Sequence, residues 1–172
     1  MRMTIHPRMT STEFDLTDGS TCAVREAVAS DLESIVAMLV DDALGVTRES
    51  ADDMDGYRAA FDDISSDPRN LQVVAVHGDE VVATLQLTVI PGLARGGALR
   101  AQIEAVRVDA RWRNRGLGGA LITWAIDEAE QRGCALVQLT SDVRRTDAHR
   151  FYTRLGFVDS HVGYKMHLGT TA

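Results

Sequence analysis

The segment 106–121, Val-Arg-Val-Asp-Ala-Arg-Trp-Arg-Asn-Arg-Gly-Leu-Gly-Gly-Ala-Leu, constrains this chain more than any other stretch. It is β-rich at its start, basic and glycine-rich in its middle, and apolar at helical spacing beyond. A strand therefore runs into a short loop, and the loop runs into a helix. Arg111, Arg113 and Arg115 lead into Gly116, Gly118 and Gly119. Glycine lets backbone N–H groups approach a ligand closely, and a helix N-terminus adds unsatisfied donors and partial positive charge. Arginines beside it add full charge. The junction predicts a site for a pyrophosphate-like anion. A Gly-x-Gly pair alone is weak evidence, and an arginine cluster alone is usually a solvated face; the prediction rests on their coincidence. The loop lacks the Gly-Lys-Ser/Thr ending of a Walker sequence, and the dinucleotide spacing fails at Leu121.

The elements around this junction set the fold class. A chain of 172 residues suits one domain with a full core. Residues 1–20 read as a flexible leader, and 21–172 as the domain. A first strand is expected at 22–26. Ser30-Asp31-Leu32-Glu33 has a capping-box pattern and opens a helix whose apolar face is Leu32, Ile35, Val36, Leu39 and Val40, stopping near Gly45. A weaker helix is expected over 53–64. The runs 71–77 and 81–90 flank Gly78-Asp79 as a hairpin. The glycine-bearing loop 91–97 leads to a strand at 98–109. A helix at 116–131, a buried strand at 135–140, a short helix at 147–155 and terminal strand pieces at 157–158 and 164–168 complete the chain. This order reads as an α/β protein of the α+β type with a mixed sheet.

Charge and cysteine content narrow the function classes. The net charge is −7. Residues 1–90 hold 17 acids against 6 arginines, while 91–172 hold 8 acids against 12 basic residues. Overall acidity argues against nucleic acid as a partner, and the basic half suits an anionic cofactor. No run approaches the ~20 apolar residues of a membrane span. The most apolar stretch, 81–90, is broken by Thr84, Gln86 and Thr88. Without an apolar leader segment, the expected location is cytoplasmic. Cys22 and Cys134 have no metal-ligand spacing, so neither a disulfide framework nor a metal site is indicated.

Two short motifs make the reading specific. Arg113-Asn114-Arg115-Gly116-Leu117-Gly118 matches the Arg/Gln-x-x-Gly-x-Gly/Ala pattern of the GNAT acetyltransferases. Further on, Ala-His-Arg-Phe-Tyr-Thr-Arg-Leu-Gly-Phe at 148–157 resembles that family's second signature, a helix ending in Tyr-x-x-Leu-Gly-Phe. The stretch 138–161 is also similar to small-amine acetyltransferases, the aminoalkylphosphonate N-acetyltransferases among them. The resemblance implies one domain with a splayed central mixed β-sheet flanked by about four helices. It implies acetyl-CoA as cofactor, held at its pyrophosphate by the amides of Arg113, Asn114, Arg115, Gly116, Leu117, Gly118 and Gly119. Val106, Arg107 and Val108 would pair their backbone with the pantetheine arm. Transfer would run directly from thioester to amine, in agreement with the want of a Ser or Cys nucleophile beside a base. One position departs from the pattern: Arg145 stands where many members have the asparagine that bonds the cofactor arm. Either Arg145 reaches a phosphate, or its carbonyl, Ser141 and Asp142 serve the arm.

Direct transfer asks for two proton-handling groups. Glu104 lies on the strand before the loop, where a carboxylate is out of place without a role. Three roles are open to it: proton relay from the amine, pairing with Arg100 or Arg107, or contact with the substrate ammonium. Gln102 shares its strand parity, and a β-bulge would break that parity. Tyr152 matches the family's tyrosine for protonating the leaving thiolate, against the plainer reading of a core aromatic beside Phe151. His149 shares a helical face with Tyr152 but reads as a surface or capping residue. The expected partner is a small-molecule primary amine. A peptide or protein acceptor and a non-catalytic acyl-CoA-binding module are the alternatives, and a homodimer is compatible. The acids within 41–67 suit a cationic acceptor, whereas Arg95 and Arg100 suit an acidic one.

Overall fold

A computed structural model of the chain describes residues 11–41 and 53–168. A six-stranded sheet runs in the order β1-β2-β3-β4-β5-β6. Its strands are β1 (Thr12–Asp15), β2 (Thr21–Glu26), β3 (Asn70–His77), β4 (Glu80–Ile90), β5 (Leu99–Val108) and β6 (Cys134–Leu139). The first five pair antiparallel in sequence order. The helices are α1 (Leu32–Val40), α2 (Met54–Ser66), the short α3 (Ala94–Gly97), α4 (Leu117–Gln131) and α5 (Thr146–Arg154). Residues 1–138 and 139–172 form two compact units.

Strands β3 and β4 are long and rich in valine and leucine because both faces are covered. Period-two alternation sends Leu71, Val73, Leu85 and Leu87 to one face, all nearly inaccessible. Helix α4 packs on β4 and β5 and buries Leu117, Leu121, Ile122 and Trp124. A second cluster joins α1, α2 and β3 through Ile35, Val36, Phe61 and Val74. Between these helices and the sheet, the strands present polar side chains. Thr84 is fully buried; its Oγ1 donates to the Val73 carbonyl (2.8 Å) and accepts from Gln72 Nε2 (2.7 Å).

Several sequence expectations need correction. The expected leader contains β1, which pairs with β2 from Thr12↔Val24 to Asp15↔Thr21; residues 1–10 lie outside the described set. Asp31, not Ser30, caps the first helical turn: its Oδ2 accepts from the Val28 N–H at 2.8 Å and its carboxylate binds Arg25 at 2.6 Å. Helix α1 ends at Val40, and Gly45 lies outside the described residues. Strand β6 is not buried, because as the last strand of the sheet it has only half-buried and exposed positions. Residues 157–168 hold no strand; Val162, Tyr164, Met166 and Leu168 stand exposed. Their alternation has the strand period, but a strand exists only where a neighbouring backbone pairs with it.

Candidate active site

The expected anion loop is built by anchoring its side chains and leaving its backbone open. Trp112 is buried at the loop's start and packs against His77 at a tilt, ring centroids 4.8 Å apart. Arg115 lies over the Trp112 ring at 4.8 Å, binds Asp18 at 2.9 Å and donates to the Arg111 carbonyl. Arg111 clasps Asp109 (2.8 Å) and Glu80 (2.6 Å). Hydrogen bonding from Arg111 holds the Asp109 carboxyl below the usual carboxylate range, against the opposing effect of burial. Arg111 and Arg115 are therefore struts of the loop. Arg113 is the more exposed of the loop's two motif arginines: its Nε donates to the Val108 carbonyl, and its guanidinium lies 3.6 Å from Asp41.

The loop backbone turns through left-handed conformations at Asn114 (φ 63°) and Gly116 (φ 86°). Such turns aim successive N–H groups to one side. The first helical bond of α4 runs from the Ala120 N–H to the Gly116 carbonyl at 3.0 Å. The N–H groups of Leu117, Gly118 and Gly119 precede it and are left as donors at the positive end of the helix. Gly116 suits the left-handed backbone here, and a Cβ there would crowd Thr17 Cγ2 at 3.2 Å. This donor set fits a pyrophosphate.

Glu104 stands directly across from Gln86 on β4. Two residues later the ladder pairs Thr84 with Arg107, so β5 carries one extra residue and the register slips between Thr84 and Gln86. The slip is centred on Ala105, whose φ of 51° marks a bulge. The strand parity read from the sequence holds from Gln102 to Glu104 and is lost at Val106. Glu104 is exposed, and no ion pair between its carboxylate and Arg100 or Arg107 is seen among the described residues. Gln102 faces the same side and accepts from Gln138 Nε2 at 2.7 Å, tying β6 to the part of β5 before the bulge. Arg107 donates to the Val106 carbonyl at 2.8 Å.

A cavity of about 130 Å³ opens under α1 and α2, and Gln86, the cross-strand partner of Glu104, lines it. Ile35, Leu39, Tyr57 and Phe61 form its helical side, and Gln72 and Gln86 its floor. Ala105 lines it as well, so the bulge reaches its wall. Neither floor residue is expected at the site from the sequence. The signal was present in Thr84, Gln86 and Thr88, which interrupt the apolar run of a central strand.

In the unit 139–172, Tyr152 lies half-buried on α5 between two aromatic neighbours. Its ring centroid is 5.1 Å from Phe151 and 5.8 Å from Phe157, edge-on to both. Gly156 (φ 92°) ends the helix, and the Phe157 N–H returns to the Tyr152 carbonyl at 3.1 Å. Arg145 is the N-cap residue of α5. His149 Nε2 contacts the Asp142 carbonyl at 2.9 Å, a role in holding the turn before α5. Burial pushes the thiols of Cys22 and Cys134 up, which makes both poor nucleophiles.

Comparison with known proteins identifies the family. The model of the acetyltransferase (GNAT) family matches residues 33–157. The chain is 29% identical over 140 residues to the aminoalkylphosphonate N-acetyltransferase of Salmonella typhimurium, covering 81% of this chain and 87% of that protein. It is 36% identical over 77 residues to the glucosamine 6-phosphate N-acetyltransferase of Trypanosoma brucei brucei, covering 45% of this chain and 50% of that one. Among crystal structures, a transcriptional regulator from Bacillus halodurans C-125 superposes with a TM-score of 0.82 at 46% identity, over 86% of this chain and 99% of that one. An acetyltransferase from Trypanosoma brucei gives 0.67 at 26% identity, over 86% and 99%.

Proposed function

From a chain that belongs to the GNAT acetyltransferase family, we infer an enzyme that moves an acetyl group from acetyl-CoA to the primary amine of a small molecule. The observation that carries this reading is the row of open amide donors at residues 117–119, set at the end of a bulged strand that bears Glu104. The loop residues Arg113 to Gly119 would hold the pyrophosphate, with Arg113 adding charge, and Val106 to Val108 would meet the pantetheine arm. Arg145 is assigned to the cofactor as well, through its carbonyl or its guanidinium.

Acetyl-CoA, when bound, supplies the acetyl group as a thioester. Glu104 takes a proton from the substrate ammonium, directly or through water, and frees the nitrogen lone pair. The C–N bond then forms as the C–S bond breaks. Tyr152 gives its hydroxyl proton to the departing sulfur, a fair match because phenol and thiol pKa values lie within about 2 units, and the second proton lost by the acylated nitrogen passes through water to restore the tyrosine. No side chain is acylated, in keeping with the raised cysteine pKa values.

A regulatory reading has one support, the 46% identical transcriptional regulator. The net charge of −7 disfavours phosphate-backbone binding, so the enzyme is preferred. We place the protein in the cytoplasm; among the described residues no helix is long and apolar enough to cross a membrane. A homodimer is supported by the exposed alternating side chains Val162, Tyr164, Met166 and Leu168.

The deciding experiment measures thiol release from acetyl-CoA across a panel of small amines, amino acids, polyamines and basic peptides. Acceptor-dependent release with a small amine supports the reading. Release only with peptides moves the activity to protein acetylation. Tight acetyl-CoA binding by calorimetry with no release from any acceptor would leave a binding module.

A further inference from the structure

The cavity lined by Gln86, the residue paired with Glu104, has a chemistry of its own. Its helical side is aliphatic and aromatic, with Ile35, Leu39, Tyr57 and Phe61 facing the space. Its floor is polar but uncharged. Gln72 Nε2 donates to Thr84 Oγ1 at 2.7 Å and to the Leu85 carbonyl at 3.2 Å. Gln86 Nε2 donates to Asn70 Oδ1 at 3.2 Å. With both amide nitrogens engaged by the sheet, the two Oε1 atoms are left as acceptors. A row of glutamines beneath two amphipathic helices costs desolvation that leucines would not, so it asks for a purpose.

Cross-strand register puts these groups in line. Gln72 pairs with Gln86, and Gln86 pairs with Glu104. Directly paired residues share a face of the sheet. The line therefore runs from neutral amide oxygens to a carboxylate at the bulge. That order suits a primary amine whose nitrogen meets Glu104 and the Gln86 oxygen while the rest of the molecule fills an apolar space. A cavity of about 150 Å³ with apolar walls holds a benzene ring, so 130 Å³ admits one ring or a branched chain of similar size.

Resting on the acetyltransferase reading, we propose that the acceptor is a primary amine with a compact uncharged apolar tail, and that Gln72 and Gln86 orient its amino group. The 29% and 36% identical relatives carry names that call for phosphonate or phosphate on the acceptor. Among the described residues, the side chains lining this cavity are uncharged and mostly apolar, which suits an uncharged tail better than a phosphorylated one.

The test is steady-state acetylation of benzylamine, isopentylamine, ethylamine, 2-aminoethylphosphonate and glucosamine 6-phosphate by the full chain. Benzylamine or isopentylamine should exceed both phosphorylated amines in kcat/KM by about tenfold or more. Ala60→Phe, which places a ring in the cavity from an exposed helix position, should raise KM for benzylamine about tenfold and leave ethylamine within about twofold. Gln86→Leu should lower kcat/KM for every amine while acetyl-CoA affinity by calorimetry stays unchanged. Preference for a phosphorylated amine, or an Ala60→Phe enzyme with the parent's specificity, overturns the proposal and leaves the acetyltransferase reading standing. Binding of acetyl-CoA without turnover of any of the five amines or of the wider acceptor panel overturns the acetyltransferase reading, and this proposal with it.

Discussion

Asp31 shows what one buried carboxylate does for this chain. Burial pushes its pKa up, but two hydrogen bonds from Arg25 and one from the Val28 N–H outweigh burial and hold it below the ordinary value. A depressed folded-state pKa stabilises the protein above the unfolded value of about 3.9, and that contribution is lost as pH falls through the folded value. Asp31→Asn should lower stability at neutral pH by about 2 kcal/mol, read as a denaturant midpoint. The gap between parent and variant should close on acidification below about pH 4. Tyr152 belongs to the same scale. Tyr152→Phe keeps the aromatic packing with Phe151 and Phe157 and removes the hydroxyl. It should slow transfer by about 10²-fold with acetyl-CoA affinity retained. Equal turnover by the variant would end the assigned role.

At the scale of elements, the loop before α4 separates two kinds of arginine that look alike in sequence. Arg113→Ala should weaken CoA binding and flatten its salt dependence, while leaving the Tm within a degree or two. Arg115→Ala should lower the Tm, because it removes the contacts to Asp18, Trp112 and the Arg111 carbonyl. Thermal melts and calorimetry on both variants check this division. Gly116→Ala should cost about 1–2 kcal/mol for a left-handed backbone, with the Thr17 contact adding to it. Its chemical-denaturation midpoint should fall with CoA affinity. The motif was legible because glycine has few reasons to recur at a helix start. The division of labour was not, because ion pairing of Arg111 with Glu80 and of Arg115 with Asp18 spans 31 and 97 residues of sequence.

For the whole molecule, the exposed row from Val162 to Leu168 is the feature that calls for a partner. Large apolar side chains exposed in alternation favour association with another surface. The protein should therefore sediment as a dimer, and Met166→Asp should shift it toward monomer without loss of the folded CD spectrum. A parent chain that sediments as a monomer at micromolar concentration would remove the support for a dimer.

The amino-acid sequence alone determined the family motif, the α/β class, the places of four of the helices and the hairpin of β3 and β4, because periodicity and glycine placement are local signals. It also singled out Glu104 and Tyr152, through motif and strand position. Only the tertiary structure decided the rest. It made residues 12–15 a strand, because pairing with β2 supplies hydrogen bonds that no local propensity predicts. It placed the bulge at Ala105, where an added residue leaves no mark in composition. It also brought Gln72, Gln86 and Glu104 into one line across three strands. Register is a relation between distant segments, and no segment carries it by itself.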